Sequence, residues 1–178
     1  MVIVSNHLLE KTKIKFPTEY VVIRINVAWI QTKEELLKLL GNIKNDIFLD
    51  YPQGRSKPPR PVLTLEETIE LIPQFSNIKY FAVSNVEDPQ ALDDTKARLP
   101  KNVEIIPKIE TKRGIEMLED IINKVGIKYI MLDKEDLYTN VDHDQEIFES
   151  LVQKARQICK NKGVSDLELQ GVVFAPHE

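Results

Sequence analysis

The residues best suited to chemistry close a series of short apolar runs. Arg24 and Asn26 end one run, Asp50 the next, Ser84 the third, Lys108 and Glu110 the fourth, and Asp133 and Asp136 follow the fifth. A charge that closes a buried segment is informative, because taking a lone charge out of water is costly. In Pro107-Lys-Ile-Glu-Thr the alternation of an extended strand puts Lys108 and Glu110 on the same side. Glu110 and Asp136, brought from neighbouring strand ends, make an all-oxygen site for Mg²⁺ or Mn²⁺. Such an ion would polarise a carbonyl or stabilise an enolate, with Lys108 and Arg24 neutralising phosphate or carboxylate. The spacing is also open to a plainer reading, in which these groups form solvated loop ion pairs. Asp133 and Glu135 are assigned to that plainer class. His7, His143 and His177 show no metal spacing to one another, and Trp29 and Tyr138 fit packing as well as a substrate wall. Neither a Walker loop nor Gly-x-Gly-x-x-Gly is present.

The elements that must position these groups alternate along the chain. Apolar, β-branched runs at Tyr20–Ile25, Asp46–Leu49, Lys79–Val83, Val103–Pro107, Lys128–Leu132 and Gly171–Ala175 read as strands buried on both faces. A weaker strand precedes them at Val2–Val4. Helical patterns lie between: Glu34–Leu40 capped by Thr32 and stopped by Gly41, Thr68–Phe75 led by a capping box at Thr64, Asp88–Leu99, Arg113–Val125, and His143–Asn161 closed by Gly163. Strand–helix alternation of this kind predicts an α/β fold with a parallel sheet. From Val21 to Gly171 the spacing averages about 30 residues per unit, so a closed eight-unit barrel needs about 240 residues. The expectation is a TIM-type (β/α) barrel, incomplete by at least one unit, forming a single domain over residues 1–178.

Composition bounds the partners. The chain has 178 residues, 24 basic against 28 acidic side chains and a net charge of −4. That balance gives no electrostatic reason to expect nucleic acid or an anionic membrane. No apolar run approaches a membrane span, and the start lacks a signal-peptide core, so a cytoplasmic location is expected. The lone Cys159 excludes an internal disulfide and a thiolate zinc site, and it reads as an inert helix residue.

Two segments carry a resemblance to a known family. Ile105-Ile-Pro-Lys-Ile-Glu-Thr-Lys-Arg-Gly-Ile-Glu-Met-Leu-Glu-Asp-Ile121 and Tyr129-Ile-Met-Leu-Asp-Lys-Glu-Asp-Leu137 resemble pyruvate kinase, which has an Ile-Ile-x-Lys-Ile-Glu segment and then Ile-Met-Val-Ala-Arg-Gly-Asp-Leu. Upstream, Val22-Ile-Arg-Ile-Asn26, Phe48-Leu-Asp50 and Ala82-Val-Ser-Asn-Val-Glu-Asp88 are similar to that family's strands in the same order. The resemblance implies that Glu110 and Asp136 hold a divalent metal and that Lys108 supports phosphoryl transfer. It also implies that Arg24 contacts phosphate, and that Asn26 and Asp50 serve as monovalent-cation (K⁺) ligands. This chain departs from the family at Ala28, Trp29, Glu135 and Pro176. It also lacks the lid domain after Arg60-Pro-Val-Leu-Thr64 and the carboxyl-terminal regulatory domain. The HpcH/HpaI aldolases and citrate lyase β, of the same phosphoenolpyruvate/pyruvate superfamily, are similar too, and they also lack the lid.

Three functions follow as expectations. The first is a pyruvate-kinase-like protein acting on phosphoenolpyruvate or a related small oxoacid through Mg²⁺ or Mn²⁺. The second is a metal-dependent carbon–carbon lyase, and the third a non-catalytic ligand-sensing or interaction module. An unclosed barrel leaves strand edges unpaired, so the chain is expected to self-associate, to dock on a partner, or to cover the seam with Met1–Phe16.

Overall fold

β-Branched residues and a strict inside–outside alternation build the sheet. The computed structural model describes residues 2–6, 17–19, 21–54 and 58–167. Seven strands lie within them: β1 (Val2–Ser5), β2 (Val21–Asn26), β3 (Ile47–Tyr51), β4 (Ile78–Val83), β5 (Glu104–Ile109), β6 (Tyr129–Leu132) and β7 (Ser165–Asp166). They pair in sequence order and every pairing is parallel, giving a curled, incomplete TIM-type barrel. The expected strand Gly171–Ala175, residues Pro176, His7 and His177, and most of the Met1–Phe16 seam segment lie outside the described residues.

β7 is a correction to the sequence reading. It is two polar residues long, too short to carry a period, and it forms through backbone bonds from Ser165 N to Lys128 O (2.9 Å) and from Leu167 N to Ile130 O (2.8 Å).

The helices follow their caps. Thr32 caps α1 (Lys33–Asn42), which runs through the expected stop at Gly41. α2 (Leu65–Leu71) starts earlier than its apolar pattern, because Thr64 and Glu67 complete both halves of the capping box. A 3-10 turn at Ile72–Gln74 continues it, with Pro73 removing a donor. Asp88 caps α3 (Pro89–Ala97). The single helix expected over Arg113–Val125 is two, α4 (Lys112–Glu116) and α5 (Leu118–Val125), divided at Met117. α6 (Lys134–Asn140) was hidden by its polar composition, and it sits under the cap of Asp133. α7 (Gln145–Lys162) ends at Gly163, whose φ of 67° is the left-handed conformation expected of a helix stop. Among the described residues no helix is long and apolar enough to cross a membrane.

Alternation divides each strand between two environments. Ile23, Ile25, Ile47, Leu49, Phe81, Ile105, Ile109, Ile130 and Leu132 pack in the large core with residues of the helices, including Leu36, Leu118 and Ile121. Val22, Phe48, Ala82, Ile106 and Met131 form a second, smaller cluster on the opposite face, the inside of the barrel. Phe48 stacks on Tyr80, with ring centres 6.2 Å apart, and Tyr80 meets Tyr129 edge-on at 6.3 Å. Two residues further along the same strands, this inner face changes from apolar to charged: Arg24, Asp50, Ser84, Lys108 and Asp133 follow Val22, Phe48, Ala82, Ile106 and Met131.

Gly114 fixes α4 against the loop that follows β4. A Cβ there would meet the Val86 carbonyl oxygen at 2.9 Å and the side chains of Ile109 and Thr111 at 3.3 Å, whereas one on Gly41 would meet nothing within 4 Å. The two alanine substitutions should therefore differ in sign. Gly41→Ala is expected to stabilise the chain by up to ~1 kcal/mol through helix propensity. Gly114→Ala should cost roughly 1–3 kcal/mol through overpacking against backbone. Urea unfolding of both variants checks this, and equal stabilities would show that the Val86 backbone gives way.

Candidate metal centre

The inner-face charges converge at the carboxyl ends of the strands, where loops leave room for a ligand. Arg24 comes from β2, Asp50 from β3, Lys108 from β5, and Ser84, Glu110 and Asp133 from the first positions beyond β4, β5 and β6. Asp136 lies in the first turn of α6, which Asp133 caps through Oδ1 and the Asp136 N–H. All of these groups except Asp50, which is buried against Arg24, surround a cavity of about 290 Å³ that is also lined by Asn26, Asn85, Thr111, Thr139 and Asn140.

Lys108 is the hub. Its Nζ lies 2.6 Å from Glu110 Oε1, 3.7 Å from Asp133 Oδ2 and 3.9 Å from Asp50 Oδ2. It also donates to Ser84 Oγ at 3.1 Å. Burial opposes its charge, but Asp50, Glu110 and Asp133 outweigh burial and hold its pKa above the ordinary lysine value. Glu110 is 4% exposed. Burial pushes its carboxyl above the usual range, against the pull of Lys108 and with a further push from Asp133. Glu110 Oε2 accepts the Asn85 N–H at 2.9 Å. Oε1 stands against the Lys108 ammonium at 2.6 Å. Asn85 presents that N–H from a left-handed backbone, φ 53°, a conformation asparagine tolerates better than most residues.

Beside this hub, Asp50 is fully buried and its Oδ2 takes both Nε (2.9 Å) and Nη2 of Arg24. Its other oxygen, Oδ1, is buried and has no hydrogen-bond partner among the described residues.

The donor set suits a divalent cation. Glu110, Asp133 and Asp136 each offer an oxygen, and the three lie within 4.8 Å of one another. Three carboxylate oxygens gathered this closely could hold a hard divalent cation such as Mg²⁺. Four carboxylates (Asp50, Glu110, Asp133, Asp136) face two cations (Arg24, Lys108), leaving a local charge of −2. Hard oxygen donors and that charge both fit such an ion.

The structure thus brings together the expected Glu110, Asp136, Lys108, Arg24, Asp50 and Ser84. Asn26 lines the cavity while its Oδ1 accepts the Ala28 N–H at 2.9 Å, capping the 3-10 turn Val27–Trp29. Asp133 corrects its assignment as a solvated loop residue: it stands 3.7 Å from Lys108 and completes the carboxylate trio. Its phase could have shown this, since it continues the inward series Tyr129, Met131. Glu135 is exposed, as expected. Asn85 was missed because it acts through its backbone, which leaves no side-chain signal. Tyr138 packs edge-on against His143 and Phe148. Cys159 is buried, and burial pushes its thiol up to about 11, which keeps it inert.

No protein-family profile matches the sequence, and no curated protein does. Solved structures share the fold. An HpcH/HpaI aldolase/citrate lyase family protein from Burkholderia cenocepacia superposes with TM-score 0.60 at 12% identity, over 83% of this chain and 70% of that one. An HpcH/HpaI aldolase from Desulfitobacterium hafniense gives 0.61 at 12%, over 83% and 67%. The citrate lyase beta subunit from M. tuberculosis, solved with oxaloacetate and magnesium, gives 0.62 at 9%, over 94% and 76%.

The raised Glu110 pKa has a signed consequence for stability. A carboxyl that holds its proton more tightly in the fold contributes stability that is complete below the unfolded value of 4.5. That contribution is lost as pH rises through the higher folded value. Glu110→Gln stays neutral throughout. In chelator, the melting temperature of Glu110→Gln minus that of wild type should therefore increase from pH 4.5 towards pH 7. A constant difference across that range would show that Glu110 titrates as an ordinary carboxylate.

Proposed function

We propose that this chain is a metal-dependent carbon–carbon lyase, or a close mechanistic relative, acting on a small oxoacid. The observation that carries the reading is the convergence of Glu110, Asp133 and Asp136 on one cation-sized space beside Arg24. It is supported by a fold shared with lyase-family structures, one of which was solved with oxaloacetate and magnesium. Glu110 and Asp136, with Asp133 beside them, would hold Mg²⁺ or Mn²⁺. The ion supplies Lewis-acid polarisation of a carbonyl oxygen and charge for a developing enolate.

The chain's own residues do the rest. Arg24, fixed by Asp50 from below and 20% exposed on its side chain, offers its free guanidinium edge to a substrate carboxylate. The Asn85 N–H holds Glu110 Oε2, so the other Glu110 oxygen faces the cluster. Asn26, Thr139 and Asn140 line the cavity with groups that can bond substrate oxygens.

The lyase reading replaces the pyruvate-kinase-like one. β3 ends at Tyr51 and α2 begins at Leu65, which leaves no room for the lid that the resemblance to pyruvate kinase would place there. A site built to stabilise an enolate needs no nucleotide.

An enolate-stabilising site exchanges the methyl protons of pyruvate with solvent deuterium. Proton NMR in D₂O should show exchange that requires Mg²⁺ or Mn²⁺ and falls by more than about 100-fold in Glu110→Gln, beyond the loss typical of an outer-shell residue. Absence of exchange across several oxoacids, with Mn²⁺ bound, would leave a binding module rather than an enzyme. For the metal itself, calorimetry should give Mn²⁺ binding at millimolar affinity or better, weakened in Glu110→Gln. Equal affinity in the two proteins would remove Glu110 from the site.

A further inference from the structure

Two cations have a claim on one oxygen. Glu110 Oε2 is taken by the Asn85 N–H, while Oε1, the oxygen left for a metal, has Lys108 Nζ 2.6 Å away. An ammonium and a divalent ion cannot both stand against that oxygen without strong like-charge repulsion at a few ångströms. Lys108 is shared rather than held by one group, because its Nζ also donates to Ser84 Oγ at 3.1 Å and stands 3.7 Å from Asp133 Oδ2 and 3.9 Å from Asp50 Oδ2.

A second place for the ammonium already exists. Asp50 Oδ1 is buried and has no hydrogen-bond partner among the described residues, although Oδ2 of the same carboxylate holds Arg24 and lies 3.9 Å from Lys108 Nζ. A buried carboxylate oxygen without a donor is costly and rare. Lys108 Nζ is already 3.9 Å from the other oxygen of the Asp50 carboxylate, so the move to Oδ1 is short.

We propose that Lys108 sets the cation affinity of this centre: it competes with a divalent ion for Glu110 Oε1 and, when displaced, moves to the unpartnered Asp50 Oδ1. The inference rests on the metal-centre reading above. It adds that the metal-free protein carries its own replacement cation, so metal binding is weaker than three carboxylates would otherwise give and is coupled to a lysine shift. Asp50 then has two tasks, orienting Arg24 through Oδ2 and receiving Lys108 through Oδ1.

Calorimetry with Mn²⁺ on the full chain tests the competition. Lys108→Met should bind Mn²⁺ at least roughly tenfold more tightly than wild type, because a unit charge a few ångströms from the ion is removed. Lys108→Gln, which keeps a polar tip, should move in the same direction. Arg24→Met removes a cation from the same cavity without freeing Glu110 Oε1, and it should tighten binding less. A second measurement needs no variant: in wild-type crystals grown with and without Mg²⁺, Nζ should leave Glu110 Oε1 and come within hydrogen-bond distance of Asp50 Oδ1. Equal Mn²⁺ affinity in wild type and both Lys108 variants, or a Mg²⁺-loaded structure with Nζ still against Glu110, would overturn the inference and leave the metal centre standing. No Mn²⁺ binding by wild type or by either Lys108 variant would overturn the metal centre and this inference together.

Discussion

A lysine and a glutamate two residues apart on one strand, both about 5% exposed or less, impose the constraint on which the rest of the site depends. Each buried charge costs several kcal/mol unless it is paired and hydrogen-bonded. Lys108 meets that requirement only because Asp50, Ser84 and Asp133 arrive from three other strand ends at the same level. Parallel pairing in sequence order makes this convergence automatic. Lys108 pairs with Met131 in the ladder, so the next inward residue on β6 is Asp133, and Asn26 pairs with Asp50 on the opposite flank. A slip of one residue in any of these ladders would turn a charge into the apolar layer under the helices. The charged mouth therefore holds the register as much as the register holds the mouth.

The remaining architecture delivers groups to that centre without touching it. Phe48, Ile106 and Met131 fill the barrel floor and keep water from the underside of the charges. The tight approach of Gly114 to Val86 sets the loop in which Asn85 takes its left-handed turn and offers its N–H to Glu110. Asp133 caps α6 and so places Asp136 one turn from the strand end. Four carboxylates against two basic groups leave a formal charge of −2, which supports the proposal of a divalent ion there.

Much of this was legible in the sequence because it follows from period and phase. Strands β2 to β6 are apolar runs long enough to show themselves, and Arg24, Asp50, Lys108 and Asp133 each fall two residues beyond an inward apolar side chain. The parts that escaped have physical reasons. β7 is two polar residues held by backbone bonds to its neighbour, which no side-chain pattern records. α6 is too polar and short to show a helical face, so Asp133 looked like a loop acid when it is a cap and a wall of the site. Asn85 contributes through its main chain. The division at Met117 arises where two short helices share one apolar pattern. The likeness to pyruvate kinase pointed to residues that the fold brings together, while the fold itself is shared with lyase-family structures.

The central claim is that Glu110 and Asp136 share a divalent ion at the barrel mouth. Crystals of the full chain soaked with Mn²⁺ and oxalate, measured at a wavelength where manganese scatters anomalously, test it most directly. An anomalous peak is expected about 2.0–2.3 Å from an oxygen of each residue, with oxalate on the Arg24 side. A map in which manganese is absent from this cavity, or bound only to surface carboxylates, would contradict it.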